Sequence, residues 1–140
     1  MSEKPHRDRV ERWIDLPAKA ETVWAHIGPF GSVAEWHPAV AHCKLLEVEG
    51  ETHRHLTLVD EEHLLERLTE HGPHHYHYEL LEGPLPVENY RATLTCFEEP
   101  GGCRVFWSAT FDAEDPSADA IVAGIFESGL AALQDRYGGR

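Results

Sequence analysis

Between His42 and Asp112 the chain is punctuated at a nearly constant interval. Turn signals fall at Glu49-Gly50-Glu51, Asp60-Glu61-Glu62, His71-Gly72-Pro73, Glu82-Gly83-Pro84 and Glu99-Pro100-Gly101-Gly102. A spacing of about 10 residues leaves room for a strand between turns and none for a helical crossover, so consecutive strands must pair antiparallel. The last two segments alternate cleanly. Tyr90, Ala92, Leu94 and Cys96 oppose Arg91, Thr93 and Thr95, and Val105, Trp107, Ala109 and Phe111 oppose Arg104, Ser108 and Thr110. A sheet built this way has one apolar face and one wet face, and the apolar face must be covered.

The covering element is at the C-terminus. Asp115-Pro116 is expected to open a helix, with Asp as N-cap and Pro in the first turn. Val122, Ile125, Phe126, Gly129, Leu130, Leu133 and Tyr137 then form one apolar stripe, and Gly138-Gly139 ends it. Ahead of the meander, Arg9 to Asp15 reads as a strand, and Ala20, Val23, Trp24 and Ile27 as a short helix closed by Gly28-Pro29. A second short helix, near Gly31 to Trp36, is stopped by Pro38. Residues to about Arg7 are expected to fray. The reading is one α+β domain spanning residues 1–140: strand, two short helices, about six further antiparallel strands, long helix.

Charge narrows the partners. Twelve Lys and Arg face 25 Asp and Glu, a formal net charge of −13. That balance repels phosphate backbones and anionic lipid, so nucleic acid is not an expected partner. No stretch approaches the roughly 20 apolar residues of a membrane span, and the charged N-terminus has no apolar signal core. The three cysteines, Cys43, Cys96 and Cys103, form no CxxC pair and are expected to stay reduced in a cytoplasmic protein.

Hairpin geometry allows the inner face to be drafted. A symmetric turn at Asp60-Glu61-Glu62 sets Leu56 opposite Glu66, and later turns set Glu66 opposite Tyr78, Tyr78 opposite Tyr90 and Tyr90 opposite Phe111. Leu94 and Trp107 occupy a neighbouring row. A carboxylate on this face is costly unless paired. Arg54, one strand back with matching parity, could make a buried ion pair with Glu66; alternatively Glu66 is a cavity acid or base. A one-residue slip would put Arg67 inside instead. Tyr78 and Tyr90 are either core aromatics or ligand contacts. His37 either caps a helix end or exchanges protons near neutral pH.

On the outer face, His55, Arg67 and His77 form one expected row, and His53, Thr69 and His75 the next. A cation or a threonine separates the histidine strands there, so no metal site is expected. GxSxG, HExxH, P-loop and GxGxxG motifs are absent from the sequence, and no cofactor is expected.

Several segments in order resemble the SRPBCC superfamily, the START-related lipid-transfer and polyketide cyclase/dehydrase-like group. They are Ile14-Asp15-Leu16-Pro17-Ala18 with Val23-Trp24, Phe30-Gly31 leading to Trp36-His37-Pro38, Glu66-Arg67-Leu68, and Tyr76 to Leu81. Pro84 to Val87 with Asn89 to Thr93, and Trp107 to Phe111, complete the set. The resemblance implies a helix-grip fold, a curved antiparallel sheet wrapped around the long C-terminal helix with an apolar cavity between them. It does not imply one activity. The first reading is a binding module that holds a small hydrophobic or aromatic molecule, lipid or polyketide-like, in that cavity, as a monomer or homodimer. The expected contacts are Trp36, His37, Arg54, Leu56, Glu66, Tyr78, Tyr90, Leu94, Trp107, Phe111, Phe126 and Leu130. The alternative is a cyclase or dehydratase using His37, Glu66 or Tyr78 as acid–base groups in the same cavity. A third option is a domain with a filled cavity whose surface serves a protein partner.

Overall fold

The computed structural model describes residues 7–138; residues 1–6, where fraying was expected, and the helix-ending Gly139 lie outside them. Strand β1 (Arg7–Leu16) leads into α1 (Ala20–Ile27), a 3₁₀ turn (Phe30–Ser32) and α2 (Val33–Trp36). Six strands follow: β2 (Val40–Val48), β3 (Glu51–Leu58), β4 (His63–Gly72), β5 (His75–Glu82), β6 (Val87–Glu99) and β7 (Gly102–Ala113). Helix α3 (Ala118–Tyr137) is the last described element. The seven strands form one antiparallel sheet in the order β1-β7-β6-β5-β4-β3-β2. This is the helix-grip arrangement expected from the sequence.

Helix α3 starts later than the Asp-Pro signal implies. Ser117 is the N-cap residue, and the Asp115 carboxylate accepts from the Ser117 backbone N–H at 2.8 Å. Asp115 therefore closes a local turn ahead of the helix, with Pro116 inside that turn. The buried stripe Val122, Phe126, Gly129, Leu130 and Leu133 faces the sheet, and Arg12 of β1 clamps Glu127 of α3 at 2.8 Å.

The facing of the strands follows the sequence pattern, but three of the four drafted cross-strand pairs are displaced. Arg54 lies directly opposite Glu66, and Leu56 opposite Leu64. The β3–β4 loop has the expected three residues but is centred one residue earlier, on Asp60: Leu58 N–H bonds the Glu62 carbonyl at 2.8 Å, and Glu61 takes a left-handed φ of 73°, as the last residue of a three-residue hairpin loop does. Glu66 faces Leu80 and Leu68 faces Tyr78, while Tyr78 faces Ala92. Each displacement is by two residues, so every side chain keeps its face. Glu66 is inside and Arg67 outside.

The β4–β5 hairpin carries one feature that the turn spacing does not predict. Its tight turn pairs Gly72 with His75 and Glu70 with His77, and a bulge between Leu68 and Glu70 restores the inward facing of Leu68. Glu70, rather than Thr69, is thereby aligned with the outward histidines of β5.

Candidate functional site

An apolar hollow lies between the sheet and the helices. Its volume is about 70 Å³, and it is lined by Val33, His37, Ala39, Val40, Arg54, Leu56, Leu58, Leu64, Glu66, Tyr78, Leu85, Tyr90, Trp107 and Ile125. Ala39, Leu58, Leu85 and Ile125 are half-buried and form its rim, whereas the remaining lining side chains are buried. A hollow of about 790 Å³ beside the β6–β7 hairpin is a shallow polar dish lined by Lys19, Glu21, Glu98 and Glu99.

The floor is an ion pair inside an aromatic cage. Arg54 is 1% exposed and Glu66 5%. Arg54 Nε donates to Glu66 Oε1 at 2.7 Å, and Nη1 donates to the Phe30 carbonyl at 3.0 Å and to the Tyr76 hydroxyl at 3.2 Å. The guanidinium carbon lies 4.0 Å from the Phe30 ring centre and 4.9 Å from that of Tyr78, within cation–π range. Burial opposes the guanidinium charge, but Tyr76, Glu66 and Tyr78 outweigh it, and the Arg54 pKa lies above its ordinary value. A buried charge held by these partners is compensated, as burial requires.

The tyrosines are neutral groups at any ordinary pH. Burial raises the pKa of Tyr78 well above its usual value and also raises that of Tyr90. Trp107 Nε1 donates to the Tyr78 hydroxyl at 3.1 Å, and the Tyr90 ring stacks on Phe111 at 5.9 Å.

His37 has both ring nitrogens engaged. The Ala39 backbone N–H donates to Nδ1 at 3.1 Å, so Nδ1 carries no proton and Nε2–H donates to the Ile125 carbonyl at 2.7 Å. Burial, countered in part by the Ile125 carbonyl, lowers its pKa. His37 thus ties the end of α2 to the middle of α3. A Cβ on Gly129 would lie 2.6 Å from His37 and 3.0 Å from Trp107, so the contact depends on glycine there.

The expected contacts divide into two sets. His37, Arg54, Leu56, Glu66, Tyr78, Tyr90 and Trp107 come together around the hollow. Trp36, Leu94, Phe111, Phe126 and Leu130 do not line it and are buried in the core. The reason is the depth at which α3 sits: Phe126 stacks on Trp107 with ring centres 4.4 Å apart and planes 16° apart, filling the space a ligand would need. Sequence reasoning missed the rim residues Leu58 and Leu85, and it missed Phe30 and Tyr76 as partners of Arg54. The inward parity of Tyr76, shared with Tyr78, was the available signal for one of them.

The three cysteines are free thiols. Burial pushes Cys96 up to about 12.

A family model described as polyketide cyclase / dehydrase and lipid transport matches residues 7–138. The chain belongs to this family. Among solved structures, XoxI from Bacillus cereus is 30% identical with a TM-score of 0.86, covering 92% of this chain and 94% of XoxI. An uncharacterized protein from Bacillus thuringiensis is 33% identical with a TM-score of 0.87, covering 94% of this chain and 100% of that one. The Zhui aromatase/cyclase of a Streptomyces shares the fold at 16% identity and a TM-score of 0.74, covering 94% and 93% of the two chains. No curated protein matches the sequence. Among the described residues, no helix is long and apolar enough to cross a membrane.

Proposed function

We propose that this family member binds a small, largely apolar or aromatic molecule in the hollow between the sheet and α3. The observation that carries the reading is an apolar chamber with a few fixed polar groups at its floor, the usual composition of a ligand pocket. Arg54, Glu66 and Tyr78 are held in place by partners of their own, so a ligand would meet a preorganised surface. The size of the hollow limits the ligand. About 70 Å³ is about half the volume of a cavity that accepts benzene. A ring-sized ligand therefore requires the half-buried rim, Leu58, Leu85 and Ile125, to part. A lipid chain does not fit without larger movement.

The competing reading, acid–base catalysis on a polyketide-like substrate, has less support. His37 already uses both ring nitrogens, the tyrosine pKa values lie far from neutrality, and Glu66 is bound to Arg54.

Native mass spectrometry of protein purified from its own host tests the binding reading. The expected result is a small apolar adduct on the wild-type chain that is lost in Leu58→Trp, which fills the rim. Absence of any adduct, or an adduct equally abundant in Leu58→Trp, would overturn it.

A further inference from the structure

Glu70, His75 and His77 each offer one ligand atom, and these atoms lie within 4.8 Å of one another on the outer face of the sheet. The spacing follows from the bulge in β4. His75 and His77 alternate on β5 and share a face, and the bulge delivers Glu70 to the position opposite His77. Glu70 Oε2 is 3.0 Å from His75 Nε2 and 3.6 Å from His77 Nε2. Two ligands bound at 2.0–2.1 Å to a tetrahedral ion are separated by ~3.3 Å, so both distances bracket the required edge.

His77 Nδ1 is 2.7 Å from the Thr93 hydroxyl on β6. With Nδ1–H donated to Thr93, Nε2 keeps its lone pair and the ring is held with that lone pair on the Glu70 side. Partners of this kind orient metal-binding histidines. The side chains are 31% exposed at His75 and 41% at His77, which leaves the nitrogens open to solvent while the sheet limits ring motion.

We propose that Glu70, His75 and His77 form a binding site for one divalent transition-metal ion of the zinc class. Two imidazoles and one carboxylate are the donors this class prefers. Three protein ligands leave a fourth position for water. The site is on the opposite face of the sheet from the apolar hollow, and it does not depend on the ligand reading.

Isothermal titration of the metal-free full chain with Zn²⁺ tests the site. Many other histidines are present, so the control is His63→Gln, which disrupts a separate stacked pair, His55 and His63, 5.0 Å apart. The expected result is one dominant site per chain. His75→Gln and His77→Gln weaken it at least ~10-fold, Thr93→Val weakens it roughly 10-fold through His77, and His63→Gln leaves it within about twofold. Thermal melts of the metal-free variants confirm that each is folded; any that is not is replaced by Glu70→Gln, which must also weaken the site at least ~10-fold. No measurable binding, or equal weakening by His63→Gln, would overturn the assignment.

Discussion

Replacing Glu66 by alanine should be among the most damaging single changes at a polar position. The substitution removes the carboxylate hydrogen-bonded to Arg54 and leaves a guanidinium that is 1% exposed. Breaking a buried pair from one side costs about 3–5 kcal/mol, because the surviving charge stays desolvated. Arg54 retains the Phe30 carbonyl, the Tyr76 hydroxyl and its aromatic cage, which places the loss near the lower end, about 3 kcal/mol. With an m-value of roughly 2 kcal/mol/M in urea, the unfolding midpoint should fall by about 1.5 M at unchanged m. Glu66→Gln keeps an acceptor and loses only the charge, so it should cost about 1–2 kcal/mol. The double variant Arg54→Met/Glu66→Leu removes both desolvated groups and should recover most of the loss. A loss below about 1 kcal/mol for Glu66→Ala, measured by urea unfolding, would show that the pair does not carry a buried charge.

Gly129→Ala should destabilise by about 1–3 kcal/mol in the same assay, despite alanine's better helix propensity, because its Cβ meets His37 and Trp107. His37 makes stability pH-dependent. Its folded pKa lies below the ordinary 6.5, so the unfolded chain takes up a proton first and stability drops as pH falls below 6.5. His37→Gln should narrow the difference in melting temperature between about pH 7.5 and about pH 5.5; an unchanged difference would refute the buried neutral imidazole. Cys96, buried and with its pKa near 12, should resist thiol-specific alkylation in the native state and react only on unfolding; rapid native labelling of Cys96 would contradict its burial.

The fold was legible because facing depends on parity, and parity survives an even-numbered slip. Tyr78, Tyr90 and Trp107 kept their inward positions even though Glu66 meets Leu80 rather than Tyr78. Register was harder to read because the centre of a loop is ambiguous. Glu61 adopts a left-handed φ of 73° without being glycine or asparagine, so nothing in the composition marked which three residues form the loop. The bulge between Leu68 and Glu70 has no sequence signature either, and it alone separates a carboxylate joined to two histidines from a threonine in that row. The cavity was overdrawn because its size is set by how deeply α3 sits. The buried Gly129 was the available signal that His37 and Trp107 approach the helix closely, and Phe126 fills what remains.

The hollow beside Arg54 and Glu66 is proposed to accept a small apolar guest. Carbon-13 methyl spectra of leucine-labelled protein, titrated with a bicyclic phenol, test it most directly. Saturable shifts are expected at Leu56, Leu58, Leu64 and Leu85, with Leu133 in the packed core unmoved. Shifts confined to the exposed Leu45 and Leu81, or no saturable shift at the four lining leucines, would contradict it.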